Sequence, residues 1–98
     1  MDYETFVKSV SEKSAPDSQL SLPLQALWWE RKGDWDKAHA RGQEAGSQEG
    51  DRVHAYLHRR EGDEGNASYW YRRANSQKPN VSLDEEWQHL AEQLLDQP

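Results

Sequence analysis

The chain has 98 residues and a formal net charge of −6, and it contains no cysteine but five tryptophans and four tyrosines. This length fits a single domain, and without cysteine there is no disulfide framework, thiolate nucleophile or cysteine-based zinc site. The acidic total argues against a nucleic-acid partner, and no apolar run or leader pattern predicts a membrane partner or secretion, so we expect a cytoplasmic protein.

A short helix over residues 3–12 is the first predicted element, because three apolar side chains fall on one of its faces: Phe6, Val7 and Val10. The residues after it are polar and include Pro16, a composition that is typical of a linker between helices. Residues 1–21 are therefore predicted to form an N-terminal helix and a linker.

Two segments of the chain repeat each other at a fixed offset. The pair Gly33-Asp34 aligns with Gly62-Asp63, and the same offset aligns three pairs of alanines: Ala26 with Ala55, Ala38 with Ala67, and Ala45 with Ala74. Glycine adopts the left-handed conformation that ends a helix, and the aspartate after it accepts N–H bonds at the start of the next helix. Each segment is therefore predicted to be a helical hairpin, hairpin one over residues 22–48 and hairpin two over residues 49–79.

This arrangement resembles the tetratricopeptide repeat, in which a Gly-Asp turn joins two helices that pack through small residues. In hairpin two the positions of the family pattern are held by Ala55, Gly62-Asp63, Ala67, Tyr71, Ala74 and Pro79. Hairpin one departs from the pattern, because Gly42 stands where an aromatic residue is expected and no proline follows. The resemblance implies a stack of hairpins whose first helices line a concave binding surface. The stretch from Val53 to Tyr71 also resembles a group of small uncharacterised microbial proteins, which implies no activity.

Residues 82–96 are predicted to form a C-terminal capping helix. Ser82 and Glu85 have the spacing of a capping box, and three apolar residues follow on one face: Leu83, Trp87 and Leu90. Solenoids close their open end with such a helix, so we expect it to cover hairpin two with its acidic residues mostly facing water. The predicted fold is thus a single all-α domain, residues 1–98, with two tetratricopeptide-like hairpins between the short N-terminal helix and the capping helix.

The predicted function is that of a small interaction module that binds a peptide or protein partner. Its candidate partner-binding residues share one face of the first helix of hairpin two: Arg52, Tyr56, Arg59 and Arg60. An arginine guanidinium binds carboxylates through two parallel hydrogen bonds, which suits an acidic peptide. The alternative is that these arginines pair internally with Glu49, Glu61 or the acidic last helix, since most surface charges carry no function.

Three histidines provide an alternative function, that of a small enzyme or metal-binding protein. His54 and His58 are four residues apart and share a helix face, and the repeat resemblance brings His39 onto the adjoining helix. Neutral imidazoles grouped in this way can hold a metal ion. The residues favour packed, hydrogen-bonded histidines, because no His-Glu-x-x-His pattern is present. The prediction is therefore no cofactor and no metal, with these three residues as the candidates if one binds.

A third hypothesis is a structural subunit that forms a homodimer. Trp28 and Trp29 are adjacent, so they point in different directions and one of them is a candidate for an interface. No nucleophile elbow, phosphate-binding loop or dinucleotide fingerprint is present in the sequence. We therefore predict no catalytic residue, and the choice between enzyme and interaction module depends on what surrounds the histidines.

Overall fold

A computed structural model describes residues 1–96 of the chain. Within that range the protein consists of six α-helices and contains no strand: α1 (Tyr3–Glu12), α2 (Leu22–Lys32), α3 (Trp35–Glu44), α4 (Gln48–Glu61), α5 (Glu64–Arg73) and α6 (Leu83–Leu95). The predicted all-α class with helical hairpins is confirmed. The predicted domain runs to residue 98, and its last two residues lie outside the described range. No helix among the described residues is long and apolar enough to cross a membrane.

The two Gly-Asp pairs form the turns of the hairpins. Gly33 ends α2 with φ 95° and Gly62 ends α4 with φ 87°, both in the left-handed region that favours glycine. The side chains of Asp34 and Asp63 then accept backbone N–H bonds at the starts of α3 and α5. Both hairpin turns are therefore formed by the left-handed glycine and the capping aspartate that the sequence predicts.

Small residues let the helices of each hairpin approach closely. Four of the repeated alanines are almost completely buried where the helices cross: Ala26, Ala38, Ala55 and Ala67. Gly42 of α3, which replaces the expected aromatic residue, is also buried, and a Cβ there would lie 3.6 Å from the side chain of Leu57. A Cβ would thus already be in van der Waals contact with Leu57 of α4 and with Ala26 of α2, so a larger side chain at this position would meet both helices.

The C-terminal helix α6 has a wider role than the capping role predicted for it. It packs on both α2 and α4, the first helices of the two hairpins, and it also contacts α1. Its Trp87 is 1% exposed, stacks on Phe6 at 5.8 Å and donates from its indole Nε1 to the carbonyl of Leu27 at 3.0 Å. The side of the hairpins formed by α2 and α4 is therefore covered by α1 and α6 of the same chain.

Two details of the outer helices differ from the sequence prediction. In α1, Phe6 and Val10 are buried but Val7 is 38% exposed, because it lies toward the edge of the apolar face. In α6, Glu86 is 3% exposed and does not face water as expected of the acidic residues. It is held inside by hydrogen bonds from Arg59 and Tyr71.

Candidate functional site

Three histidines meet where α3 packs on α4. His54 and His58 are one turn apart on α4 and share a face, and His39 reaches them from α3. The Nε2 atoms of His39 and His54 are 2.9 Å apart. One ring nitrogen from each histidine lies within 4.8 Å of those of the other two. The structure thus brings together the three residues named from the sequence as metal-ligand candidates.

Two tryptophan rings flank the histidine cluster, which we define as His39, His54 and His58. The ring of His54 stacks on Trp70 of α5 with 4.0 Å between centroids, and Trp35 of α3 packs against His39 at 5.7 Å. His54 is 2% exposed and His58 8%, whereas His39 and both tryptophans are half-buried. The histidines on α4 are therefore shielded from solvent, whereas the side chains that α3 and α5 contribute are partly exposed.

A carboxylate orients one of the imidazoles. Nδ1 of His58 lies 2.7 Å from Oε1 of Glu61. A neutral His58 donates its Nδ1–H to this carboxylate, which leaves the lone pair on Nε2 free to act as a ligand. Carboxylates that hold the second nitrogen of a histidine in this way commonly surround zinc, where they fix the tautomer and increase the basicity of the ligand.

Burial favours the neutral form of two of the three histidines, His54 and His39. Burial, followed by repulsion from His39 and His58, lowers the pKa of His54 to about 4. Burial, followed by the nearby His58, also lowers the pKa of His39. His54 is therefore a neutral imidazole at pH 7, which is the form that coordinates metal ions.

One of the nitrogen spacings is close to that of a tetrahedral zinc site. Zn–N bonds of about 2.0–2.1 Å place two ligating nitrogens about 3.3 Å apart, compared with 2.9 Å between His39 and His54. The ligand atoms of all three histidines lie within 4.8 Å of one another. A second group of nearby ligand atoms comprises His58, Glu61 and Asp63, but the carboxylate of Asp63 already caps α5.

Three neighbours of the histidine cluster were not predicted: Trp35, Glu61 and Trp70. Two of them do carry a sequence signal, because Trp35 precedes His39 by four residues and Glu61 follows His58 by three, spacings that share a helix face. Trp70 carries no such signal. It comes from α5, and which of its sides meets α4 depends on how the two helices cross.

Two of the predicted partner-binding residues are taken up by contacts within the chain. Tyr56 is fully buried and donates its hydroxyl hydrogen to the Glu30 carboxylate. Arg59 donates from Nη1 to Glu86 at 2.7 Å and from Nη2 to the carbonyl of Val81 at 2.6 Å. Neither side chain is free to meet a partner in this structure, and Arg59 pairs with the acidic last helix, as the alternative interpretation proposed.

Of the other two predicted partner-binding residues, Arg60 is exposed and Arg52 is half-buried. Arg60 lies 3.6 Å from Glu30 and 3.5 Å from Asp84, and its side chain is 42% exposed. Arg52 donates from Nη1 to the side-chain amide oxygen of Gln93 at 3.0 Å. Arg60 thus also pairs with the last helix, while Arg52 has a neutral partner.

The buried tyrosines predict a loss of stability at alkaline pH. Tyr56 and Tyr71 donate to Glu30 and Glu86, and burial followed by these hydrogen bonds raises the pKa of both phenols well above 10. The folded protein therefore keeps two protons that the unfolded chain releases above pH 10. Stability is complete below pH 10 and falls above it, by about 1.4 kcal/mol per pH unit for each tyrosine.

Urea denaturation between pH 9 and pH 11 measures this slope. Over this range the Tyr56→Phe variant is expected to lose about 1.4 kcal/mol less stability than the wild type, because the unfolded-state phenol, with a pKa of about 10, ionises progressively across it. The difference between the two slopes isolates Tyr56 from the titration of lysines. Equal slopes would show that this phenol ionises as easily in the folded protein as in the unfolded chain.

Comparison with known proteins finds no family model, no curated protein and no solved structure that matches this chain.

Proposed function

We propose that this protein is a metal-binding helical domain that holds one Zn²⁺ ion between α3 and α4, with His39, His54 and His58 as ligands. The observation that carries the proposal is the convergence of three imidazoles, whose ring nitrogens lie within 4.8 Å of one another. Zinc is the ion that best fits a set of neutral nitrogen ligands in a protein without cysteine. Glu61, which is hydrogen-bonded to His58, supplies the supporting carboxylate.

Hydrogen bonds hold the buried rings of the cluster in place. Burying a polar ring costs free energy unless it has a hydrogen-bond partner. His54, which burial keeps neutral, has its Nε2 within hydrogen-bond distance of Nε2 of His39. Glu61 in turn fixes the orientation of His58. Rings held in this way suit ligands that are preorganised for an ion.

The fourth coordination position of the ion would be filled from outside the cluster. Among residues 1–96, no fourth side chain joins the three histidines as a potential ligand. Zinc prefers four ligands, so water is the expected fourth. Three histidines and a water form the ligand set of one class of catalytic zinc sites, which keeps the small-enzyme hypothesis linked to this site.

Calorimetric titration of the chelator-treated protein with ZnCl₂ tests the proposal. We expect one ion per chain, and we expect Co²⁺ at the same site to give the visible absorption of a tetrahedral complex. The His89→Ala variant is the matched control, because this histidine is exposed on α6 and lies outside the cluster. If the protein binds neither ion, or if His89→Ala abolishes the binding, the proposed site is refuted.

The relation of the hairpins to the tetratricopeptide repeat is a proposal as well. Its support is the pair of left-handed glycines followed by capping aspartates and the buried alanines at both crossings. A cytoplasmic setting is also proposed, on the grounds that the chain has no cysteine to form a disulfide. Partner binding through the arginine face remains a proposal, and of its four residues Arg52 has the contacts that support it best.

A further inference from the structure

A cavity of about 330 Å³ lies between α4, α6 and the loop that joins α5 to α6. Its polar lining includes Arg52 from α4, Gln77 from the loop, and His89 and Gln93 from α6. Arg52 lies on a different face of α4 from His54 and His58, so this cavity is separate from the histidine cluster. Its size is within the range of sites that hold a small molecule or one side chain of a partner.

Arg52 is the cation of this cavity and has no carboxylate partner among the described residues. Nη1 donates to the neutral amide oxygen of Gln93, and the buried Nε has no hydrogen-bond acceptor. The other two arginines of α4 do have carboxylate partners, Arg59 in Glu86 and Arg60 in α2 and α6. A buried donor without an acceptor costs free energy, so a group that supplies the acceptor would stabilise this arrangement.

The one carboxylate of the cavity does not neutralise Arg52. Both oxygens of Glu86 are used, Oε1 by Arg59 at 2.7 Å and Oε2 by the hydroxyl of Tyr71 at 2.6 Å. The other titratable residues of the lining are Tyr71 and His89. Among the described residues, Arg52 is therefore a cation without a carboxylate partner in a protein whose net charge is −6.

We propose that this cavity binds a carboxylate through the guanidinium of Arg52. A carboxylate matches the planar fork of arginine and supplies an acceptor for Nε. A neutral ligand forms weaker hydrogen bonds with the guanidinium than a carboxylate does. The amide of Gln93 is exposed on the surface, and the ligand displaces it from Nη1 to reach the guanidinium. The carboxylate belongs either to a small organic acid or to an acidic peptide, and both sources share this chemistry.

Nuclear magnetic resonance on the ¹⁵N-labelled full chain tests the proposal. The protein is titrated with succinate, with a short C-terminally amidated peptide that carries one glutamate, and with the same amidated peptide carrying glutamine instead. Saturable shifts of the Arg52 Nε–H signal and of the Gln77 and Gln93 amides are expected. Shifts with succinate indicate a small acid, and shifts with the glutamate peptide alone indicate a peptide. No saturable shift at these signals with any probe would overturn the proposal.

Two variants of Arg52 and one control variant, Arg41→Gln, complete the test. Arg52→Gln is expected to weaken binding of the effective probe about tenfold or more, and Arg41→Gln, on the exposed surface of α3, is expected to leave it unchanged. Arg52→Lys keeps the charge but loses the fork, so it should bind less tightly than the wild type. Equal affinity of Arg52→Gln and the wild type would overturn the proposal. If Arg52→Gln does not fold, the affinity of Arg52→Lys and the shifts of the wild-type protein test the proposal instead.

Discussion

Replacing Glu86 by alanine is expected to destabilise the protein by about 3–5 kcal/mol, which is the usual effect of removing one partner of a buried ion pair. The carboxylate is 3% exposed, and its two oxygens accept hydrogen bonds from Arg59 and Tyr71. Without it, a largely buried guanidinium loses its counter-charge and a buried hydroxyl loses its acceptor. A loss of this size is a large share of the total stability of a domain of this length.

The effect is expected to be cooperative because Glu86 joins three helices. It lies on α6, Arg59 on α4 and Tyr71 on α5, so the network fixes how the last helix sits on hairpin two. Adding Arg59→Met to Glu86→Ala is expected to restore part of the lost stability, since the uncompensated charge is removed along with its partner. Additive losses in the double variant would contradict this account.

Urea denaturation at pH 7 measures all of these variants. Glu92→Ala is the matched control, because this glutamate lies on the exposed side of the same helix and its loss should change stability by less than about 0.5 kcal/mol. A loss below about 1 kcal/mol for Glu86→Ala would show that the ion pair is well solvated in solution, contrary to its burial in the structure.

The hairpins were predictable from the sequence because their determinants are local. Gly33-Asp34 and Gly62-Asp63 act through their own backbone conformation and through the first turn of the next helix. The burial of Glu86, in contrast, is determined by a contact that is distant in sequence. This residue sits next to Trp87, which the sequence placed in the core, but the sequence assigned the acidic residues of this helix mostly to water. Its burial depends on Arg59, which is distant in sequence and becomes a partner only when α6 lies across α4.

The candidate site was predictable in part for the same reason. The spacing of His54 and His58 fixes their common face, and the repeat offset indicated that His39 would approach it. Trp70 depends on the crossing of α5 over α4, which no local pattern encodes. The different surroundings of the predicted partner-binding residues could not be read from the sequence, because arginines on a helix surface look alike there. In the structure Arg59 pairs with Glu86 of α6, whereas Arg52 lies beside a cavity.

Zinc is expected to stabilise the wild-type protein, and replacing His54 by phenylalanine is expected to abolish that gain. An ion that binds only the folded state adds about 4 kcal/mol to the free energy of unfolding when its free concentration is a thousand times the dissociation constant. Phenylalanine removes both ring nitrogens but keeps an aromatic ring beside Trp70, which stacks on His54 at 4.0 Å. The change therefore separates the ligand role of this histidine from its packing role.

Thermal and urea denaturation of the wild type and the variant, each with EDTA and with excess Zn²⁺, test this prediction. In EDTA we expect the variant to be less stable than the wild type by about 1–3 kcal/mol, because the change removes the hydrogen-bond partner of His39. With zinc, only the wild type should gain stability, and His89→Ala should gain as much as the wild type. Glu61→Gln should bind zinc about 10–100-fold more weakly, because it removes the carboxylate that orients His58. If His54→Phe keeps the full gain, the ion binds elsewhere and the three histidines are packing residues.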